Sequence, residues 1–145
     1  MTIRADGCTF CAIVAGEVPA HVVLDDDVAL AFLDIRPLFV GHTLLVPRDH
    51  HEALPDLPPA LVEPLFARAR RLAAAMPEVL GAQGSFVAVN NVVSQSVPHL
   101  HVHVVPRTRG DGLKGFFWPR LRGLDPDEAA EVARRLRAAV DPGPA

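Results

Sequence analysis

The sequence holds only two cysteines, Cys8 and Cys11, too few for a disulfide framework and separated by just two residues. In a reducing compartment such a pair is more often a metal clip or a redox motif than a structural disulfide. Charge of one sign is equally scarce. Fourteen Lys and Arg against 17 Asp and Glu leave a formal charge of −3, which gives no footprint for duplex nucleic acid or an anionic membrane. A small anionic ligand is not excluded, because a phosphate site needs only a few well-placed donors. No apolar run, at the N-terminus or elsewhere, reaches the length of a signal peptide or a membrane helix, so a cytoplasmic location is the expectation. Gly-x-Gly-x-x-Gly and Walker-type loops are absent, which sets aside the phosphate-binding folds that depend on them. Internal repeats and low-complexity tracts are lacking too.

What is present fits one compact domain. The chain has 145 residues, 50% of them hydrophobic and 21% charged, ordinary values for a chain able to bury a core. We expect a single domain over residues 1–145, with a core at about 8–107, a C-terminal extension at 108–145 and a frayed tail from Asp141. Fourteen prolines punctuate the chain, among them Pro37, Pro47, Pro98 and Pro106 where apolar runs begin or end.

Thr9–Ala15 predicts a short helix ending at Gly16. Val22–Leu24 and Val28–Leu33, split by Asp25-Asp26-Asp27, predict a hairpin. Thr43–Val46 predicts a third strand. Leu61, Leu65, Ala69, Leu72 and Met76 recur at helical spacing, and Pro64 makes that helix either start late or bend. Gly81–Gly84 precedes a fourth strand, Phe86–Val89, and Leu100–Val105 predicts a fifth. Asp125-Pro126-Asp127-Glu128 carries an N-cap, a first-turn proline and early carboxylates, so a helix runs on to about Val140. Tight turns plus a long helix returning to the sheet indicate an α+β fold: a mainly antiparallel five-stranded sheet, one long helix, a short N-terminal helix and a C-terminal helix.

The chemistry concentrates in the fifth strand. His99, His101 and His103 alternate with Leu100, Val102 and Val104, so a strand projects all three imidazoles from one face. A lone strand histidine is usually a satisfied packing residue. Three at this period read instead as ligands for a metal such as Zn²⁺, or as a catalytic set with a nucleophile and a phosphate donor.

The segment Pro98-His99-Leu100-His101-Val102-His103-Val104-Val105-Pro106-Arg107 resembles the signature of the histidine-triad family. Cys8-Thr9-Phe10-Cys11 with Gly16-Glu17-Val18-Pro19, and Ala31-Phe32-Leu33-Asp34-Ile35-Arg36-Pro37 with Gly41-His42-Thr43-Leu44-Leu45-Val46-Pro47 and His50, resemble its upstream blocks in the same order. The resemblance implies a nucleotide hydrolase or nucleotidyl transferase acting on nucleoside phosphoramidates or dinucleoside polyphosphates. In it His101 attacks the α-phosphate to form a nucleotidyl-histidine intermediate, with His103 as phosphate-side donor. It further implies that Asp34 receives the ribose hydroxyls, that Asn90, Gln95 and Ser96 contact phosphates or leaving group, and that relatives are homodimers. The loop before the triad is about two residues short, and Ser94 stands where a glycine is common. His42 matches a family histidine to which no chemical role is assigned.

Cys8-x-x-Cys11 is a half-site for tetrahedral zinc and needs two more ligands. The resemblance supplies His50 and His99, making a closed and therefore structural site. His51 is the adjacent alternative with its side chain pointing away, and His21 reads as a surface residue. Near the C-terminus, Phe117 and Trp118 either cap the core or cover a nucleotide pocket, with Lys114 and Arg120 adding charge. Besides the enzyme, two other classes fit: a nucleotide-binding scaffold or signalling module with little turnover, and a metalloenzyme using the triad as zinc ligands.

Overall fold

The computed structural model describes residues 2–114, 121, 123 and 125–140. These form two compact units, residues 1–111 and 112–145, so the sheet lies wholly within the first. Its elements are α1 (Thr9–Val14), β1 (Val22–Asp25), β2 (Ala29–Leu33), β3 (Thr43–Pro47), α2 (Pro59–Leu80), β4 (Gly84–Ala88) and β5 (Val102–Arg107). The second unit holds α3 (Pro126–Val140). The strands form one sheet in the order β1-β2-β3-β5-β4, with every neighbouring pair antiparallel.

Local chemistry explains the hairpin between β1 and β2. The Asp26 carboxylate accepts the Val28 and Ala29 N–H groups at 2.9 and 3.0 Å, a side-chain turn of the kind aspartate favours. Arg68 on α2 reaches the other carboxylate oxygen at 2.7 Å, pinning the long helix to that turn.

Alternation along the strands divides the core into two layers. Ala29, Ala31, Leu45, Leu100, Val102 and Val104 pack with Leu65, Ala69, Leu72 and Met76 of α2 on one face. Leu30, Phe32, Leu44 and Val46 pack with Phe10 of α1 on the other. The sheet is therefore covered on both sides, which is why β2 and β3 are buried almost throughout. Leu65 is fully buried, and Leu65→Ala should lower unfolding stability by about 3 kcal/mol, read as a shifted urea midpoint at unchanged slope.

Several boundaries differ from the sequence expectation. The long helix begins at Pro59, before Pro64, because Pro59 occupies a first-turn position where its missing N–H costs nothing; Pro64 and Pro77 both lie inside it. It ends at Gly81, whose φ of 67° closes the helix in the left-handed region. The strand β4 starts two residues early, at Gly84. The strand β5 starts late, at Val102, and runs through Pro106. Pairing with β3 reaches only as far as Val104, so beyond it Pro106 needs to satisfy just one neighbour, Ser85 of β4.

Candidate active site and metal centre

Two of the three triad histidines precede β5, yet the alternation holds: Leu100, Val102 and Val104 face α2, while the imidazoles face α1. The Phe10 ring meets His99 and His101 edge-on, at centroid distances of 6.0 and 5.1 Å. His99 and His101 are buried, and His103 is half-buried.

Their hydrogen-bond partners assign the tautomers. His101 Nδ1 lies 2.7 Å from the His99 carbonyl oxygen. A carbonyl only accepts, so Nδ1 carries the proton and Nε2 keeps its lone pair. His99 Nε2 lies 3.0 Å from the Pro47 carbonyl, so there Nε2 is protonated and Nδ1 is the free lone pair. His103 is set by a longer chain. The Leu38 backbone N–H donates to His42 Nδ1 at 3.1 Å, which leaves His42 Nε2 as the protonated nitrogen. That N–H donates to His103 Nδ1 at 2.9 Å, leaving His103 with its proton on Nε2. Burial holds His42 below the usual imidazole range and pushes His103 down to about 4, with His101 and His42 nearby adding to the effect. At neutral pH His103 is thus an uncharged N–H donor.

His101 and His103 open onto a cavity of about 630 Å³, a size suited to a nucleotide. Phe10, Ile13, Val18, Phe32 and Leu44 give it an apolar wall. Thr9, Asp34, Arg36 and Ser96 supply its other polar side chains. Asp34 is held at the end of β2 by its own N–H, donated to the His42 carbonyl at 2.9 Å. One of its carboxylate oxygens accepts the Arg36 N–H at 2.9 Å; the other lies 3.7 Å from His42 Nε2.

The loop before the triad is placed differently. Gln95 does not line the cavity. Its carboxamide oxygen accepts the Val92 N–H at 2.8 Å, and its nitrogen donates to the Glu52 carbonyl at 2.6 Å. Asn91 accepts the Leu54 N–H at 2.7 Å. Val92 and Ser94 adopt φ of 69° and 62°, a strained backbone for a β-branched residue above all. Asn90 is exposed, two residues past the end of β4, and outside the cavity lining. Trp118, with Phe117 and Arg120, lies outside the described residues.

A second cluster lies beside the first. Cys8, Cys11, His50 and His99 bring one ligand atom each to within 4.8 Å of one another. Cys8 and Cys11 Sγ both lie 3.5 Å from His99 Nδ1, and Cys11 Sγ lies 3.3 Å from His50 Nδ1. Tetrahedral zinc with ordinary Zn–S and Zn–N bonds separates such atoms by about 3.6 Å. The nitrogen of His99 that faces the thiols is the one its tautomer leaves unprotonated. Burial pushes the Cys11 thiol up and His99 down to about 4; the imidazole is thereby kept neutral, as ligation requires. The donor set therefore fits zinc. His51 is not part of it, and its buried Nε2 has no hydrogen-bond partner among the described residues.

Asp34, His42 and His103 also lie close together, but the Leu38 amide takes the Nδ1 lone pair of His42. A metal on Nε2 would force two N–H groups to face each other, so this trio is better suited to relaying hydrogen bonds. In the sequence His42 matches a family histidine without a chemical role; its contact with His103 gives it one, as the donor that sets that imidazole's tautomer.

The comparisons agree with this arrangement. The HIT domain family model matches residues 15–110. The chain is 41% identical to an uncharacterized HIT-like protein of Mycobacterium tuberculosis, over 92% of each chain. It is 30% identical to an adenosine 5'-monophosphoramidase of Saccharomyces cerevisiae, over 92% of this chain and 83% of the relative. A Zn-bound histidine triad family protein from Mycobacterium smegmatis superposes with a TM-score of 0.70 at 40% identity, covering 93% of this chain and 96% of that one. With its family model, its fold and its alternating histidines in agreement, this chain belongs to the HIT domain family.

Proposed function

We propose that the chain is a nucleotide hydrolase or nucleotidyl transferase that cleaves at the α-phosphate through a covalent intermediate on His101. The observation that carries this is the His101 Nδ1 contact with the His99 carbonyl at 2.7 Å, which leaves Nε2 unprotonated at the cavity. In the first step Nε2 attacks the α-phosphorus, a P–N bond forms, and the bond to the leaving group breaks with its electron pair, a phosphate leaving as the anion and an amine taking up a proton from solvent as it departs. Water then attacks phosphorus, the P–N pair returns to Nε2, and the nucleoside monophosphate departs as the water's proton is released. His103 Nε2–H donates to a phosphoryl oxygen throughout, without giving up its proton; such positioned donors are typically worth about 3 kcal/mol of barrier.

In this reading Asp34 accepts a ribose hydroxyl and Ser96 donates toward the leaving group. Asn90 is carried over as a phosphate contact by resemblance alone, and Gln95 acts by shaping the loop that presents Ser96. Cys8, Cys11, His50 and His99 hold a structural zinc whose closed shell leaves no site for substrate. Its contribution is to tie α1 to the triad segment. A homodimer of a small cytoplasmic enzyme completes the reading, and among the described residues no helix is long and apolar enough to cross a membrane.

The test is a turnover panel of adenosine phosphoramidate, diadenosine triphosphate and diadenosine tetraphosphate. Cleavage of at least one, releasing AMP, is expected. Tight AMP binding with no cleavage of any would favour the scaffold reading. Within the enzyme reading, His42→Ala should lower kcat about tenfold or more with KM little changed, because His103 then loses its tautomer-setting donor.

A further inference from the structure

We propose that Cys8 and Cys11 are an oxidisable pair as well as zinc ligands: a hydroperoxide converts them to a disulfide, which expels the ion and loosens His101. The effect on turnover rests on the reading of His101 given above, whereas the chemistry of the thiols does not.

Cys8 and Cys11 are the chain's only cysteines, and both are free thiols. Within one chain, each is therefore the other's sole disulfide partner. Cys8 caps the start of α1 and Cys11 sits in its first turn, where the Cys11 N–H donates to Cys8 Sγ at 3.4 Å. The two sulfurs lie within 4.8 Å of one another, and each is 3.5 Å from His99 Nδ1. Thiols two residues apart at a helix start can close a disulfide with little backbone movement. They are reached from outside the nucleotide cavity, whose lining includes neither cysteine. Cys8 is half-buried, and Cys11 borders a separate cavity of about 310 Å³ beside Thr2, Arg4 and Arg48.

The reaction balances with the hydroperoxide as its oxidant. The Cys8 thiolate, the more exposed of the two, attacks the terminal peroxide oxygen. The O–O bond breaks, and an alkoxide or hydroxide leaves and takes up a proton. The Cys11 thiolate then attacks the sulfenic sulfur, the S–O bond breaks, and hydroxide leaves to become water with a second proton. Two thiolates together lose two electrons and the peroxide gains them. A disulfide no longer offers thiolate ligands, and His50 and His99 alone make half of a tetrahedral shell.

His99 carries the consequence to the reacting histidine. Its Nδ1 faces the two sulfurs, its Nε2–H donates to the Pro47 carbonyl at 3.0 Å, and its own carbonyl accepts the His101 Nδ1–H at 2.7 Å. Oxidation removes the first of these anchors and so frees the carbonyl that fixes the His101 tautomer. Phe10 lies between the two cysteines, and its ring stands 5.1 Å from that of His101. Closing the disulfide around Thr9 and Phe10 therefore also disturbs the wall of the cavity.

Treating the reduced, zinc-loaded protein with hydrogen peroxide tests the proposal. One zinc per chain should pass to a colorimetric chelator in step with the loss of both alkylatable thiols, and the chain's mass should fall by two hydrogens. The kcat/KM for adenosine phosphoramidate should fall about tenfold or more, the scale expected when a reacting group is misplaced. It should recover when a dithiol reductant and zinc are returned together. Zinc retained with both thiols intact in millimolar peroxide, sulfinic acid in place of the disulfide, or a disulfide between two chains would overturn the oxidisable pair. Disulfide formation and zinc release with kcat/KM unchanged would overturn the coupling to His101. A reduced protein that cleaves no nucleotide would overturn the nucleotide reading, and with it the coupling, while the zinc and thiol measurements still decide the oxidisable pair.

Discussion

His101→Ala should lower kcat by at least about a thousandfold, while AMP still binds within a few fold of the unaltered protein. The asymmetry follows from the geometry. In the proposed mechanism His101 contributes a lone pair that acts only in the transition state, whereas the apolar wall and Asp34, which line the cavity, would contact the nucleotide in every state. Because His101 is buried, the alanine variant leaves a small cavity, so His101→Asn serves as a second variant that keeps a donor near the His99 carbonyl. Both should lose turnover alike. Both should also keep their zinc, since His101 is not among the four clustered ligands. Loss of zinc along with turnover would instead indicate a metalloenzyme whose triad holds the ion.

The second large effect concerns that ion. Stripping zinc with a chelator should lower the melting temperature by about 10 °C or more. At free zinc a thousandfold above its dissociation constant, binding stabilises the folded state by about 4 kcal/mol, and a domain of this size responds by several degrees per kcal/mol. Cys11→Ser should bring zinc content, measured by elemental analysis, from one ion per chain to none, and its melting should no longer respond to chelator. The ligands explain the size of the effect. Cys8 and Cys11 lie at the start of α1, His50 follows β3, and His99 precedes β5, so one ion bound there would fasten three distant segments. The His50 end has further reach: the His51 carbonyl accepts the Leu100 N–H at 2.7 Å, and the Glu52 carbonyl accepts from Gln95. Loosening that segment should therefore be felt in the loop before the triad as well as at the metal.

Much of this was legible in the sequence because it is written in spacing. The period of His99, His101 and His103 placed the imidazoles on one face, and Cys8-x-x-Cys11 announced half a metal site. The alternation of Leu100, Val102 and Val104 marked the opposite, core face, where they pack against α2. What was not legible depends on partners distant in the chain. The tautomer of His99 is set by the Pro47 carbonyl, and that of His103 by the relay from Leu38 through His42; no local pattern encodes either. Gln95 shows the same limit from the other direction. Its position four residues before His99 pointed to the phosphate, whereas its carboxamide is engaged by the Val92 N–H and the Glu52 carbonyl. The late start of β5 also has a cause distant in the chain. Leu100 donates its N–H to His51 instead of to a neighbouring strand.

The central claim is that His101 Nε2 forms a covalent bond to the α-phosphorus. Its most direct measurement is acid- or denaturant-quenched mass spectrometry of the protein within its first turnovers of adenosine phosphoramidate, followed by peptide mapping under conditions that preserve phosphoramidate bonds. The account predicts a mass increment of one adenylyl group, localised to His101, appearing and decaying at rates compatible with turnover and absent from His101→Ala. Turnover at the normal rate by His101→Ala, or an adenylyl group found on a different residue, would contradict it.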